Sequence, residues 1–164
     1  MKTTEIQVER CTVVSAKSFE EVLAGLSKGI GRPNMSLHQE RMASASSFAE
    51  FQAIIHEAVG SADLMEFLRL DLGAAMRKNP AVKAYKMVRI IAGNPLMMMQ
   101  MAEHVPDAGS YAPVTILVYE SHDGVHLCYD TMASLLASYK KPGATDVATA
   151  LDSKVMKLLH EAAA

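Results

Sequence analysis

The sequence has no tryptophan, only two cysteines and few aromatic residues, and it lacks an excess of either charge. Cys11 and Cys128 are far apart and fit neither a CxxC motif nor the spacing of a metal site, so we expect two reduced thiols. Lysine and arginine total 16 against 18 aspartates and glutamates, which is not the clustered basic excess of a nucleic-acid-binding protein. The N-terminus has no apolar signal segment, and no run of about 18 apolar residues predicts a membrane span. We expect a soluble cytoplasmic protein with no nucleic-acid or membrane partner.

The 164 residues are enough for one domain with its own apolar core. Half of the residues are hydrophobic, so folding needs neither a metal nor a disulfide. We expect a single domain over 1–164 that ends in a C-terminal helix over 145–163.

Alternating and helical patterns of apolar residues predict an α+β fold. Capping boxes at Ser18/Glu21 and Ser47/Glu50 begin two helices, whereas residues 31–46 show no period and are predicted to be a loop. Strands are predicted over 5–16, 64–72, 84–92 and, as a hairpin, 113–130. We expect a single compact domain with a mixed β-sheet, a C-terminal β-hairpin and helices packed mainly on one face.

The segment AGNPLMMMQMAEH, residues 92–104, concentrates methionines beside a histidine. Asn94 suits a helix N-cap and Pro95 the first helical position. At about 100° per residue, most of the methionines fall on one apolar face, which predicts a helix packed on the core. The alternative is a soft-metal site of Met97, Met101 and His104, whose ligands would suit Cu(I). We expect the core helix, and no metal site.

The same segment carries a longer pattern. A Gly-Asn-Pro triplet at 93–95 follows a strand, and Pro106 lies eleven residues beyond the proline of the triplet. Pro113 opens the next strand, which ends in Tyr119-Glu120, and Tyr129 closes the hairpin. In these motifs the chain resembles the bacterial domain-of-unknown-function 302 family, over a core of about 5–140. The resemblance implies a compact α+β domain that pairs as a homodimer, and it implies no established reaction.

Two charged residues upstream also match that family. Arg69 and Asp71 correspond to its acidic strand, whereas Leu72 stands where many members have a histidine. Strict alternation places Phe67, Arg69 and Asp71 on one strand face. Arginine offers a planar fork of donors for a carboxylate or phosphate, and aspartate an acceptor or base. The alternative is a local ion pair with neighbouring residues.

Asn94 stands where free backbone amides and the helix dipole favour an anion, although it can equally serve only as a cap. Together with Glu120, these residues form the predicted ligand-binding set: Arg69, Asp71, Asn94 and Glu120. No cofactor and no catalytic residue can be named from the sequence.

The hairpin histidines suggest a second kind of site. With a two-residue turn at Asp123-Gly124, His122 would pair with Val125 and Ser121 with His126, so the imidazoles would point to opposite faces. This is a poor geometry for chelating a metal.

His126, Cys128 and Asp130 share one strand face and are residue types that zinc accepts, but a fourth ligand is missing. Cys128 as a nucleophile would need a base, and His126 is near enough in sequence; inert packing is the usual role of a strand cysteine.

The sequence predicts a homodimeric domain that binds a small, partly anionic ligand. The alternatives are an enzyme using Asp71 or Glu120 as acid or base in the same cleft, and a purely structural interaction module. A raised pKa at Asp71 would favour the enzyme, whereas a pocket with donors and no perturbed acid would favour the binding domain.

Overall fold

The computed structural model describes residue 1 and residues 3–164. The strands are β1 (Arg10–Ser15), β2 (Ile30–Gly31), β3 (Leu64–Asp71), β4 (Met87–Gly93), β5 (Val114–Ser121) and β6 (Gly124–Asp130). The helices are α1 (Phe19–Gly29), α2 (Met35–Ser44), α3 (Phe48–Ala58), α4 (Leu72–Met76), α5 (Pro95–Ala102), α6 (Met132–Ala137) and α7 (Pro142–Ala163), with a 3-10 turn at Pro106–Ser110. Among the described residues, no helix combines the length and the apolar composition needed to cross a membrane.

All strands join one six-stranded sheet in the order β1-β6-β5-β4-β3-β2. Strands β3 to β6 form an antiparallel meander, and β1 pairs antiparallel with β6, so that Arg10 lies opposite Asp130. The short strand β2 runs parallel to β3, which makes the sheet mixed. The predicted α+β class and mixed sheet are confirmed.

One face of the sheet is covered by helices and forms the core. Alternate residues such as Ile90, Ile116 and Leu127 are fully buried there, and α7 packs Val155 and Leu159 into the same cluster. The opposite residues of β1, β3, β4, β5 and β6 form a second face, which the main helices leave uncovered. We call it the open face, and its residues are Arg10, Thr12, Val14, Leu68, Leu70, Met87, Arg89, Ile91, Thr115, Leu117, Tyr119, His126, Cys128 and Asp130.

Local sequence signals account for the best-predicted helices. Ser18 and Glu21 form the expected capping box, with the Ser18 amide donating to Glu21 Oε2 at 2.9 Å. Asn94 Oδ1 accepts the Leu96 amide at 2.9 Å and begins α5. Met97 and Met101 are buried whereas Met99 is 41% exposed, which confirms the predicted core helix.

The prediction of a loop over 31–46 is wrong, because these residues contain α2. Asn34 Oδ1 accepts the Leu37 amide at 3.2 Å and begins the helix. His38 is its one buried residue, so the helix has no apolar stripe and leaves no periodic signal. The first strand is also shorter than predicted, and the two-residue strand β2 was not predicted at all.

The hairpin turn lies one residue earlier than predicted. Ser121 pairs with Gly124 and Tyr119 with His126, so the two turn residues are His122 and Asp123. Gly124 adopts a φ of +136°, which only glycine accepts readily, and it pairs within the ladder rather than forming the turn. As a result, the His126 side chain lies on the open face beside Tyr119.

Candidate functional site

Arg69, the first predicted site residue, is bound within the protein. A β-bulge between Glu66 and Leu68 shifts the alternation of side chains along β3, so Glu66 and Arg69 both point to the helix-covered face. The prediction that Phe67 and Arg69 share a face is therefore wrong. Arg69 Nη2 donates to Glu66 Oε2 at 2.6 Å and to Ser27 Oγ at 3.1 Å. The donor fork that was expected to hold a ligand therefore holds a carboxylate of the chain itself.

Asp71 and Glu120 are also paired. Asp71 caps α4 by accepting the Ala74 amide at 2.8 Å, and Arg77 binds its second oxygen at 2.9 Å. The Ala74 hydrogen bond, and then Arg77, hold the pKa of Asp71 below its usual value. Glu120 lies 3.4 Å from the Lys86 ammonium. Asp71 is thus a charged cap without the raised pKa that would favour the enzyme.

Asn94 is buried and belongs to a partly exposed polar cluster beside a cavity of about 790 Å³. Its Nδ2 donates to Asp63 Oδ1 at 2.9 Å, and Lys154 binds the other Asp63 oxygen. The cavity is also lined by Glu103 and Asp146. Its three carboxylates against one ammonium disfavour an anion at this helix N-terminus.

The structure does not bring the predicted set together at one cavity. Arg69 lines a shallow surface beside α2, whereas Asn94 lines the cavity between α3, α5 and α7. That the four residues of the predicted set form one shared ligand site stays a prediction.

Arg89 is the arginine that the sequence reasoning missed. Ion pairs with carboxylates are formed by Arg10, Arg32, Arg41, Arg69 and Arg77. In the described part of the chain, Arg89 has no such partner; its Nη2 donates to Thr115 Oγ1 at 3.2 Å. The only signal in the sequence is its place between Val88 and Ile90, in phase with the exposed side of β4.

A cavity of about 450 Å³ lies on the open face beside Arg89. Leu117, Met87 and Cys128 contribute apolar wall, and Arg10 and Asp130 form a bidentate ion pair at 2.6 and 2.8 Å. Because that pair is neutral overall, Arg89 leaves the cavity with one net positive charge. The volume lies within the usual range of small-ligand pockets, about 300–1,000 Å³. Such a cavity suits an anionic group attached to an apolar body.

The family model described as "Domain of unknown function DUF302" matches residues 40–162. This chain belongs to the DUF302 family. The fold is also similar to that in the "Crystal structure of uncharacterized conserved protein DUF302 from Bacillus stearothermophilus". That protein is 13% identical, with a TM-score of 0.66 over 93% of this chain and 97% of that chain. At this identity the likeness establishes the fold alone. Among curated proteins, none matches the sequence.

Four of the DUF302 motif residues of this chain meet at a small apolar cavity of about 190 Å³. Gly93, Asn94 and Pro95 line one side, and Pro113 lines another. A Cβ atom on Gly93 would lie 3.2 Å from the Pro113 Cβ, so the motif permits close packing of β4 against the start of β5. The spacing between the Gly-Asn-Pro triplet and Pro113 therefore has a packing explanation.

The zinc alternative of His126, Cys128 and Asp130 does not form a ligand group among residues 1 and 3–164, whereas the Cu(I) alternative of Met97, Met101 and His104 stays untested. Within the described residues, no group of three His, Cys, Asp or Glu side chains could hold a metal ion. Asp130 is bound by Arg10, and the Met97 sulfur lies 3.9 Å from Lys154 Nζ.

Proposed function

We propose that this DUF302 chain binds a small organic anion in the open-face cavity beside Arg89. The observation that carries the proposal is the Arg89 guanidinium, which lies at an apolar cavity without a carboxylate partner in the described part of the chain. A carboxylate or phosphate would accept the two parallel hydrogen bonds of the guanidinium fork. The apolar body of the ligand would pack against Leu117 and Met87.

The charge states favour a binding domain over the enzyme in which Asp71 acts as acid or base. The lowered pKa of Asp71 keeps its carboxylate charged near neutral pH, and Arg77 neutralises it. A group that is fully ionised and ion-paired is a weak proton acceptor. Arg89, by contrast, can supply attraction and orientation without any proton transfer.

A thermal-shift screen with small monocarboxylates and monophosphates tests this proposal. We expect a ligand at about 100 times its Kd to stabilise the native protein by about 2.7 kcal/mol, because it binds only the folded state. Arg89→Met keeps an apolar stem but removes the donors, so the shift is expected to disappear. Arg77→Met, at an exposed arginine paired with Asp71, is the matched control and should keep the full shift.

Two results would count against the Arg89 site. The first is a screen in which no anion shifts the native protein. The second is a shift that survives Arg89→Met but is lost in an Arg69→Ala/Asn94→Ala double variant, which would return the ligand to the set predicted from sequence.

We also propose that two copies pair through the β3 side of the open face. Leu68 and Leu70 are 50% and 36% exposed, and Ile91 lies beside Leu68 on β4. Adjacent exposed leucines on a sheet surface are costly in water and typical of a contact surface. In a twofold dimer the same strip of each copy would pack against the strip of the other copy.

Light scattering of the native protein is expected to give twice the chain mass of 17.7 kDa. Leu68→Lys places a charge in the strip and should give the mass of a single chain. Val82→Lys is the control, because Val82 is similarly exposed, at 45%, but lies outside the sheet. A native protein that stays monomeric at tens of micromolar, or a Leu68→Lys variant that still dimerises, would refute this interface.

We also propose a cytoplasmic location, where two thiols that the fold does not join would stay reduced. Cys11 and Cys128 are both free. They lie on neighbouring strands but on opposite faces of the sheet, since Cys11 pairs with Tyr129 and Cys128 with Thr12. Side chains that point to opposite faces cannot form a disulfide without moving the backbone.

A further inference from the structure

Three side chains of the β5–β6 hairpin form a hydrogen-bonded row on and beside the open face. Tyr119 and His126 face each other across the strands, with ring centroids 4.9 Å apart. His126 Nδ1 lies 3.3 Å from Tyr119 Oη, and His126 Nε2 lies 2.8 Å from Asp123 Oδ1. The His126 side chain is only 15% exposed, so water competes little for these contacts.

The charges determine where the protons of the row lie. The hydrogen bond with His126 is the main cause that holds the pKa of Asp123 below its usual value, so Asp123 accepts as a carboxylate. The proton of a neutral His126 is therefore on Nε2, and Nδ1 is free to accept from Tyr119 Oη. His126 is thus a base that the Asp123 carboxylate holds in position, which is the arrangement by which enzymes activate nucleophiles.

Cys128 is a nucleophilic side chain on the strand of His126, beside the Tyr119 end of this row. It occupies the next open-face position after His126 on β6, diagonal to Tyr119, and burial together with Cys128 raises the pKa of the Tyr119 phenol. Thr12 Oγ1 lies 3.4 Å from the Cys128 sulfur. Cys128 also lines the cavity beside Arg89, with Leu117 between them in the register.

We propose that Cys128 is a nucleophile, activated through Tyr119 and His126, for a small electrophile whose anionic group binds Arg89. The anionic group rests on the proposed function, whereas the activation of the thiol does not. The thiol proton passes to Tyr119 Oη as the phenol proton passes to His126 Nδ1, which leaves a thiolate and an imidazolium held by Asp123. The sulfur then forms a bond to the electrophilic carbon, and the leaving group departs with its electron pair.

Cys11 provides an internal comparison on the same chain. It lies on the helix-covered face of the same sheet, and burial is the main cause that raises the pKa of its thiol. A raised pKa leaves less thiolate at neutral pH and slows alkylation. Cys128 is the more buried of the two thiols, so its higher expected reactivity rests on Tyr119 and His126 and not on exposure.

Alkylation by iodoacetate and by its neutral analogue iodoacetamide tests the proposal on the intact native protein. In each case the sulfur displaces iodide from the CH₂ group, and the products are quantified for each cysteine by peptide mass spectrometry. At about pH 7, we expect Cys128 to react at least about tenfold faster than Cys11 with iodoacetamide. We expect Arg89→Met to slow Cys128 alkylation by iodoacetate but not by iodoacetamide.

Substitutions in the hydrogen-bonded row distinguish activation of the Cys128 thiol from a purely structural role of His126 and Tyr119. His126→Gln and Tyr119→Phe are each expected to slow iodoacetamide alkylation of Cys128 about tenfold at pH 7. Since about pH 10 lies above the usual pKa of a cysteine thiol in water, alkylation there should not need the row, and the variants should recover the native rate. The other charged groups that face Cys128, Arg10, Arg89 and Asp130, are unchanged in these variants.

The outcomes discriminate between the two proposals. Equal rates at Cys128 and Cys11, native rates in both row variants, or a loss that persists at pH 10 would each overturn the activated nucleophile. A Cys128 that depends on His126 but shows no effect of Arg89→Met on iodoacetate would support the nucleophile and reject the anion site beside it.

Discussion

Asp152→Ala is expected to lower the free energy of unfolding by about 3–5 kcal/mol, since removing an acceptor costs about 1–3 kcal/mol for each buried donor left unpaired. Asp152 Oδ1 accepts from the Tyr129 hydroxyl at 2.6 Å and from the Met132 amide at 2.7 Å. Its Oδ2 accepts the Ala133 amide at 3.0 Å. Thr131, the N-cap residue of α6, provides no side-chain cap, so this carboxylate on α7 caps α6 from a distance.

Urea unfolding measures the effect. Asp152→Asn keeps one oxygen and should lose less stability than alanine, and Tyr129→Phe, which removes one donor of the three, should cost about 1 kcal/mol. Asp146→Ala, an earlier aspartate of the same helix, is the control and should stay within about 0.5 kcal/mol of the native value. A loss below about 1 kcal/mol for Asp152→Ala would show that water replaces the carboxylate, contrary to the burial of Tyr129 at 1% exposure.

The second large effect is expected where the backbone of β2 crosses the backbone at the end of α3. A Cβ atom on Gly31 would overlap the carbonyl oxygen of Ala58 and lie 2.8 Å from the Gly60 nitrogen. Backbone atoms cannot rotate out of the way as a side chain would, so β2 and the end of α3 must separate. We expect Gly31→Ala to destabilise the protein by about 3 kcal/mol.

Gly109→Ala is the matched control for this substitution, because nothing lies within 4 Å of its added Cβ. We expect its stability to be unchanged or raised by up to about 1 kcal/mol, through the lower entropy of the unfolded chain. Calorimetry of the two variants side by side gives the comparison. Similar melting temperatures for both would mean that the crossing adjusts at little cost.

The elements that could be predicted are those whose signal is local. The Ser18–Glu21 box and the Asn94-Pro95 pair each specify a helix start through side chains a few residues apart. Helix α2 has a good cap in Asn34 but buries only His38, so no pattern of apolar residues announces it. Strand β2 is two residues long and exists only because β3 lies beside it.

The site was harder to predict than the fold because its properties depend on pairing between distant segments. The partner of Arg69 follows from one extra residue in the β3 bulge, which alternation alone does not reveal. Arg89 stands out only because the five other arginines pair with carboxylates, whereas no carboxylate of residues 1 and 3–164 pairs with Arg89. The contact between His126 and Tyr119 depends on the register of the hairpin. The Asp123-Gly124 pair predicted a turn one residue later than the observed one, and therefore a different register.

The pairing of β1 with β6 also determines when the fold can be completed. Arg10 and Asp130, which bind each other, are 120 residues apart in the chain, and α1 packs on α7. On a ribosome, the meander of β3 to β6 can assemble from neighbouring segments, because its pairings are short-range. Strand β1 and helix α1 are synthesised before β6 and α7, so they find their partners only after those later segments have been made. Until then they are exposed to chaperones and proteases, and the time needed to synthesise the intervening residues sets how long that exposure lasts.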